Sequence, residues 1–108
     1  MAFGSSSPTY IYPRPAGGQT DERLTVSSSA VPFSSIATWR ASGNVKFVVL
    51  DVQANDVFVT FDGSTPTSTN GHRLYSGESY TWNFETAAAA QFIRASADAT
   101  VHASPFTF

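Results

Sequence analysis

From Leu24 to Phe108 the apolar residues fall into short runs, and turn-forming residues interrupt them about every ten positions. No stretch sustains a helical period, so the chain must bury its apolar side chains between sheets. The clearest strand reads Val45 to Gln53, β-branched and aromatic almost throughout, and Ala54-Asn55-Asp56 turns it back. Val57 to Phe61 is the second, ended by Asp62-Gly63-Ser64. Ser79 to Phe84 alternates, with Tyr80, Trp82 and Phe84 on one face. Shorter extended segments are expected at Leu24–Val26, Ala30–Phe33, Ile36–Trp39 and His72–Tyr75. Ala87 to Ala90 reads as a connecting turn, because one turn of alanines is too short to hold as a helix alone. A final hairpin is expected from Phe92–Ser96 and Ala99–Ser104 around Ala97-Asp98, with Pro105 stopping the ladder. The fold class expected is all-β: a small β-sandwich or jelly-roll-like domain of seven to eight short, mainly antiparallel strands.

Residues 1–22 differ. Pro8, Pro13 and Pro15 interrupt any ladder and Gly17-Gly18 is a joint, yet Tyr10-Ile11-Tyr12 is too apolar for a solvating linker. The expected organisation is an extended N-terminal arm over 1–22 and a β-sandwich domain over 23–108. Tyr10, Ile11 and Tyr12 are candidate contacts to a neighbouring subunit. Phe106 and Phe108 join them as candidates, because two phenylalanines near an exposed end call for a covering surface.

Charge and chemistry narrow the function classes. Charged residues are 13% of the chain and the formal charge is −2. So weakly charged a surface suits a subunit of an assembly, and without a basic run no nucleic acid is expected as a partner. No apolar run is long enough for a membrane span, and Met1 to Ser5 lacks the charged and apolar regions of a signal peptide. Without cysteine, thiolate catalysis and cysteine-ligated zinc are excluded. Asp62, His72 and His102 are the best trio for a metal, but no spacing links them, and no metal or other cofactor is expected. Most carboxylates fall in turns or at strand ends, where local backbone bonds explain them, and no Gly-x-Ser-x-Gly elbow occurs. No catalytic residue is expected. Trp39, Tyr80 and Trp82 offer a possible sugar-stacking platform, against the simpler role of filling a sandwich core.

Val57 to Leu74 carries a distinctive series: a Val-x-Val-Thr-Phe strand, Asp62-Gly63-Ser64-Thr65-Pro66-Thr67, then Gly71-His72-Arg73-Leu74, followed by the Gly77-Glu78 turn. With Phe92 to Ala95 and Asp98 to Ser104, it resembles small β-sandwich structural proteins of tailed bacteriophages, of the decoration (cement) or head–tail kind. The resemblance covers residues 24–108 and its motifs mark turns and core. It implies a virion protein, most simply a capsid decoration protein that binds and stabilises the major capsid lattice. A head–tail connector, a fibre base, or a carbohydrate- or receptor-binding module are the alternatives. The implied partner is the major capsid protein or another virion protein. The chain itself is expected to form a trimer or dimer on the particle, after assembly in the host cytoplasm. In this setting Asp62, Gly63, Pro66, Gly71 and His72 are expected to brace the loop, Asp62 accepting backbone hydrogen bonds and His72 bonding across the loop's base.

Overall fold

The computed structural model describes residues 13–108; Tyr10, Ile11 and Tyr12 lie outside them. Along the described chain run β1 (Arg14–Pro15), β2 (Glu22–Val26), α1 (Ile36–Ser42), β3 (Phe47–Gln53), β4 (Val57–Thr60), β5 (His72–Leu74), β6 (Ser79–Asn83), α2 (Phe84–Ala89), β7 (Gln91–Arg94) and β8 (Ala99–Thr107). The strands form two antiparallel sheets. In the larger, β8 is central: β1 and β2 share one of its edges, β3 takes the other, and β6 lies beyond β3. In the smaller, β4 lies between β5 and β7. The expected small all-β domain is what forms.

Period-two alternation sets the two faces. On β3, Val48, Leu50 and Val52 are fully buried, while Phe47, Val49, Asp51 and Gln53 point outward. On β8, Ala99, Val101 and Ala103 face in, and Thr100, His102, Ser104 and Phe106 face out. Val57 and Val59 of β4, Phe92 of β7 and Leu74 of β5 supply the facing layer of the same core. Trp82 of β6 spans the gap, stacked on Phe92 at 6.0 Å and 12°. The result is a sandwich with one continuous apolar layer.

Several local expectations are corrected. Ile36–Trp39 is helical, part of α1, and Trp39 is buried with its Nε1 donating to the Thr20 carbonyl. Gly43, at φ 66°, ends α1 in the left-handed conformation. The start of α1 is capped from a distance. Ser35 makes no side-chain cap, but the buried Glu22 carboxylate on β2 accepts from the Ser34 and Ser35 amides at 2.8 Å each and from the Ser34 hydroxyl at 2.9 Å. The alanine stretch belongs to α2. It begins one residue after Asn83, whose side chain accepts from the Thr86 amide at 2.8 Å, so Phe84 leaves the strand and becomes the first helical residue.

The expected hairpin of Phe92–Ser96 with Ala99–Ser104 does not form. β7 pairs with β4 and β8 with β3, so Ala95 to Asp98 carries the chain from one sheet to the other. Val31 makes only an isolated bridge to Phe92. Pro105 does not stop β8, which continues to Thr107. Its carbonyl accepts from the Ala16 amide at 3.0 Å. The missing N–H points to the same edge, where the chain loops away between β1 and β2 and no donor is needed. Residues 14–22, assigned from sequence to the arm, are already part of the domain. Arg14 and Pro15 pair with Thr107 and Phe106, and Ala16 and Glu22 are buried.

Candidate functional site

The residues singled out from sequence fall into three places. The first is the loop joining β4 to β5. Asp62 Oδ1 accepts from the Ser64 amide at 3.0 Å and from the Ser64 hydroxyl at 2.5 Å. The hydroxyl and then the amide hold the Asp62 carboxyl below its ordinary pKa. Gly63 takes φ 85°, and Pro66 is fully buried beneath the loop. Gly71 lies close against β4: a Cβ there would stand 3.2 Å from the Val59 carbonyl oxygen and 3.3 Å from that of Thr67. His72 pairs with Val59 and sets its ring 6.0 Å from Phe61, but among the described residues it makes no hydrogen bond across the loop. That bond is supplied by Asn70, which exchanges backbone bonds with Thr67 and donates from Nδ2 to the Ser64 hydroxyl at 3.1 Å. Thr60, donating to the Ser64 carbonyl at 2.6 Å, closes the other side. Thr60, Ser64, Thr67 and Asn70 are thus brace residues that sequence reasoning missed; Asn-Gly and Asp-Gly punctuation was the signal for a turn, but not for which side chains would tie it.

An open cavity of about 440 Å³ lies beside this loop, lined by Phe61, Asp62, Thr69, Asn70 and His72 among others. A general acid at neutral pH needs a raised carboxyl pKa, and Asp62 is shifted the other way.

The second place is the outer face of the larger sheet, which reads as rows across the strands. At one end, Arg23, His102, Asp51 and Ser79 are in register. His102 Nε2 meets Asp21 at 3.1 Å and its Nδ1 meets Arg23 at 3.3 Å; Arg23 donates to Gln53, which donates to Asp51 at 2.6 Å. With the imidazole held by a carboxylate on one side and a guanidinium on the other, no hydroxyl among the described residues occupies the position a nucleophile would take.

At the opposite end, Pro15, Phe106, Phe47 and Asn83 are in register. Phe47 stacks on Phe106 at 5.5 Å and meets Phe108 at 5.2 Å, and Phe108 is 51% exposed. Lys46, Phe47, Thr81, Asn83 and Phe108 line a shallow recess of about 430 Å³. The structure therefore brings Phe106 and Phe108 together and adds Phe47, which the sequence signalled only through its outward position in the alternation of β3.

The third set is dispersed. Trp39 is buried in the core, Trp82 is stacked on Phe92, and the Tyr80 hydroxyl accepts from the Tyr75 amide at 3.0 Å. They do not form a common platform. His102 lies in the larger sheet with Asp21 and Arg23 as partners, while Asp62 and His72 flank the loop of the smaller sheet.

Comparison with family models, with curated proteins and with solved structures found no match to this chain. Among the described residues no helix is long and apolar enough to cross a membrane.

Proposed function

We propose that the chain is a structural protein of a bacteriophage virion, a capsid decoration protein that binds and stabilises the lattice of the major capsid protein. The observation that carries this reading is the Phe47–Phe106–Phe108 cluster, an apolar patch on the outer face of the larger sheet and apart from the buried core. Patches of this kind in a weakly charged domain mark contact with other protein. The polar clusters support it from the other side. Asp56, Asp62 and Glu22 each bind neighbouring backbone amides, so their chemistry goes into holding turns and helix ends. The motif from Asp62 to Leu74 adds the likeness to phage structural proteins.

Co-sedimentation with shells of the major capsid protein encoded in the same genome tests this. The chain is expected to pellet with expanded shells and to raise the temperature at which they open. A chain left in the supernatant, with shells that open at an unchanged temperature, sinks the decoration reading.

A further inference from the structure

We propose that the cavity beside the β4–β5 loop is a binding site for a neutral saccharide, with one pyranose ring against Phe61 and His72 and its hydroxyls bonded to Asp62 and Asn70. This site is separate from the lattice contact proposed above. It belongs to the smaller sheet, which packs across the core from the larger one, whereas the phenylalanine cluster lies on the larger sheet's outer face.

The cavity, about 440 Å³, falls within the range of small-molecule sites, about 300–1,000 Å³. One wall is aromatic. The half-buried Phe61 ring stands edge-on to Trp82 at 5.1 Å and 82°, and 6.0 Å from the His72 ring. The other wall is polar and held by the loop's own bonds. One Asp62 oxygen takes both Ser64 donors, and Asn70 is tied to Thr67 through the backbone and to Ser64 through Nδ2. A ligand entering here finds its contacts already ordered, which lowers the cost of binding.

The hydrogen-bonding capacity left over selects the ligand. Among the described residues, the second carboxylate oxygen of Asp62, the amide oxygen of Asn70 and both ring nitrogens of His72 bond to no protein group. The two oxygens only accept, so the ligand must bring donors. The Ser64 hydroxyl and then its amide keep the Asp62 carboxyl ionised at neutral pH, and neither lysine nor arginine lines the cavity, so an anion is repelled. A lone carboxylate is a poor cation site, and no group of three metal-ligating side chains occurs among the described residues. A wholly apolar ligand would strip water from Asp62 and return no hydrogen bond. A peptide brings as many acceptors as donors and suits this acceptor-rich wall less well. What remains is an uncharged molecule with several O–H donors and an apolar face. A pyranose has both: adjacent hydroxyls span two acceptors, and its axial C–H bonds lie on an aromatic ring.

The test is an NMR titration of the full chain with neutral methyl pyranosides of gluco, galacto, manno and N-acetylglucosamine type, each to about 10 mM, tenfold above a millimolar Kd. Glucuronate is the charged counterpart and N-acetylglycinamide the peptide-like one. At least one neutral pyranoside should shift the Thr69 and Asn70 amides and the Trp82 indole. Glucuronate should bind about tenfold more weakly. Asp62→Asn, which keeps an oxygen for Ser64 and removes the charge, should close that gap and weaken the neutral ligand by about tenfold. His72→Ala should weaken it too, with an unchanged melt. Phe108→Ser should bind the saccharide as the unaltered chain does, so failure of this site and failure of the lattice contact are told apart. No shift with any pyranoside overturns the proposal, as does binding that Asp62→Asn and His72→Ala both leave intact. Stronger shifts of the same signals by N-acetylglycinamide than by the pyranosides overturn the choice of ligand.

Discussion

The two ends of one sheet face differ in a way that separates stability from recognition. At the Arg23–His102–Asp51 end the charged groups are linked in one network: Asp21 and Arg23 hold the two nitrogens of His102, and Gln53 links Arg23 to Asp51. At the Phe47–Phe106–Phe108 end, the rings stack on each other but leave Phe108 half in water. The same strands β3 and β8 build both ends, so backbone geometry is not the difference. The polar groups are linked among the described residues, and on the proposed function the aromatic end is completed by another molecule. Changes near the first should alter the fold's stability and leave binding alone; changes at the second should do the reverse.

The largest effect should come from Glu22, next to Arg23 but pointing inward. Glu22→Ala removes a buried carboxylate that accepts from the part-buried Ser34 and Ser35 amides and should cost about 3 kcal/mol. It should lower the thermal midpoint while any folded fraction keeps its affinity for shells. Phe108→Ser should show the opposite pattern: shell binding weakened by about 1.5–3 kcal/mol, with little change in the melt, since the ring is already half exposed. A Phe108→Ser melt that falls as far as that of Glu22→Ala would collapse the distinction between the two ends.

Acid should act through turns rather than through the aromatic end. The Ser76 amide and then Arg73 lower the pKa of Asp56, and Ser64 lowers that of Asp62, each from an ordinary 3.8. A carboxyl with a depressed folded pKa stabilises the fold above its unfolded value and loses that contribution as pH falls through the folded one. The melting temperature should therefore hold steady from these groups between pH 7 and 5 and fall below about pH 4. Asp56→Asn with Asp62→Asn should flatten that decline. The smallest effect should be Arg23→Ala, below about 1 kcal/mol, because exposed charge networks contribute little.

The sequence made the sandwich legible where burial follows period two. β3 and β8 have alternating inward valines, alanines and leucine, and the pattern alone assigns them. It failed where the deciding partner is distant in the chain. The start of α1 is held by Glu22, so nothing local to Ile36–Trp39 announced a helix. Pro105 looked like a stop because the gap between β1 and β2, which tolerates it, is visible only in the topology. Ala97-Asp98 looked like a hairpin turn, yet Arg94 pairs with Asp98 in a crossing between sheets. Of the candidate site, Phe106 and Phe108 could be read from the chain. Phe47 could not, because its membership depends on which strand β8 chooses as its neighbour.

Two rings of nearly equal exposure lie on opposite sheets: Phe108 at 51% and Tyr75 at 55%. Shell binding by Phe108→Ser and Tyr75→Ser, measured side by side with the unaltered chain, tests most directly whether the aromatic end of the larger sheet is the docking surface. The account predicts that Phe108→Ser loses binding at least tenfold while Tyr75→Ser binds as the unaltered chain does. Full binding by Phe108→Ser, or a loss confined to Tyr75→Ser, would contradict it.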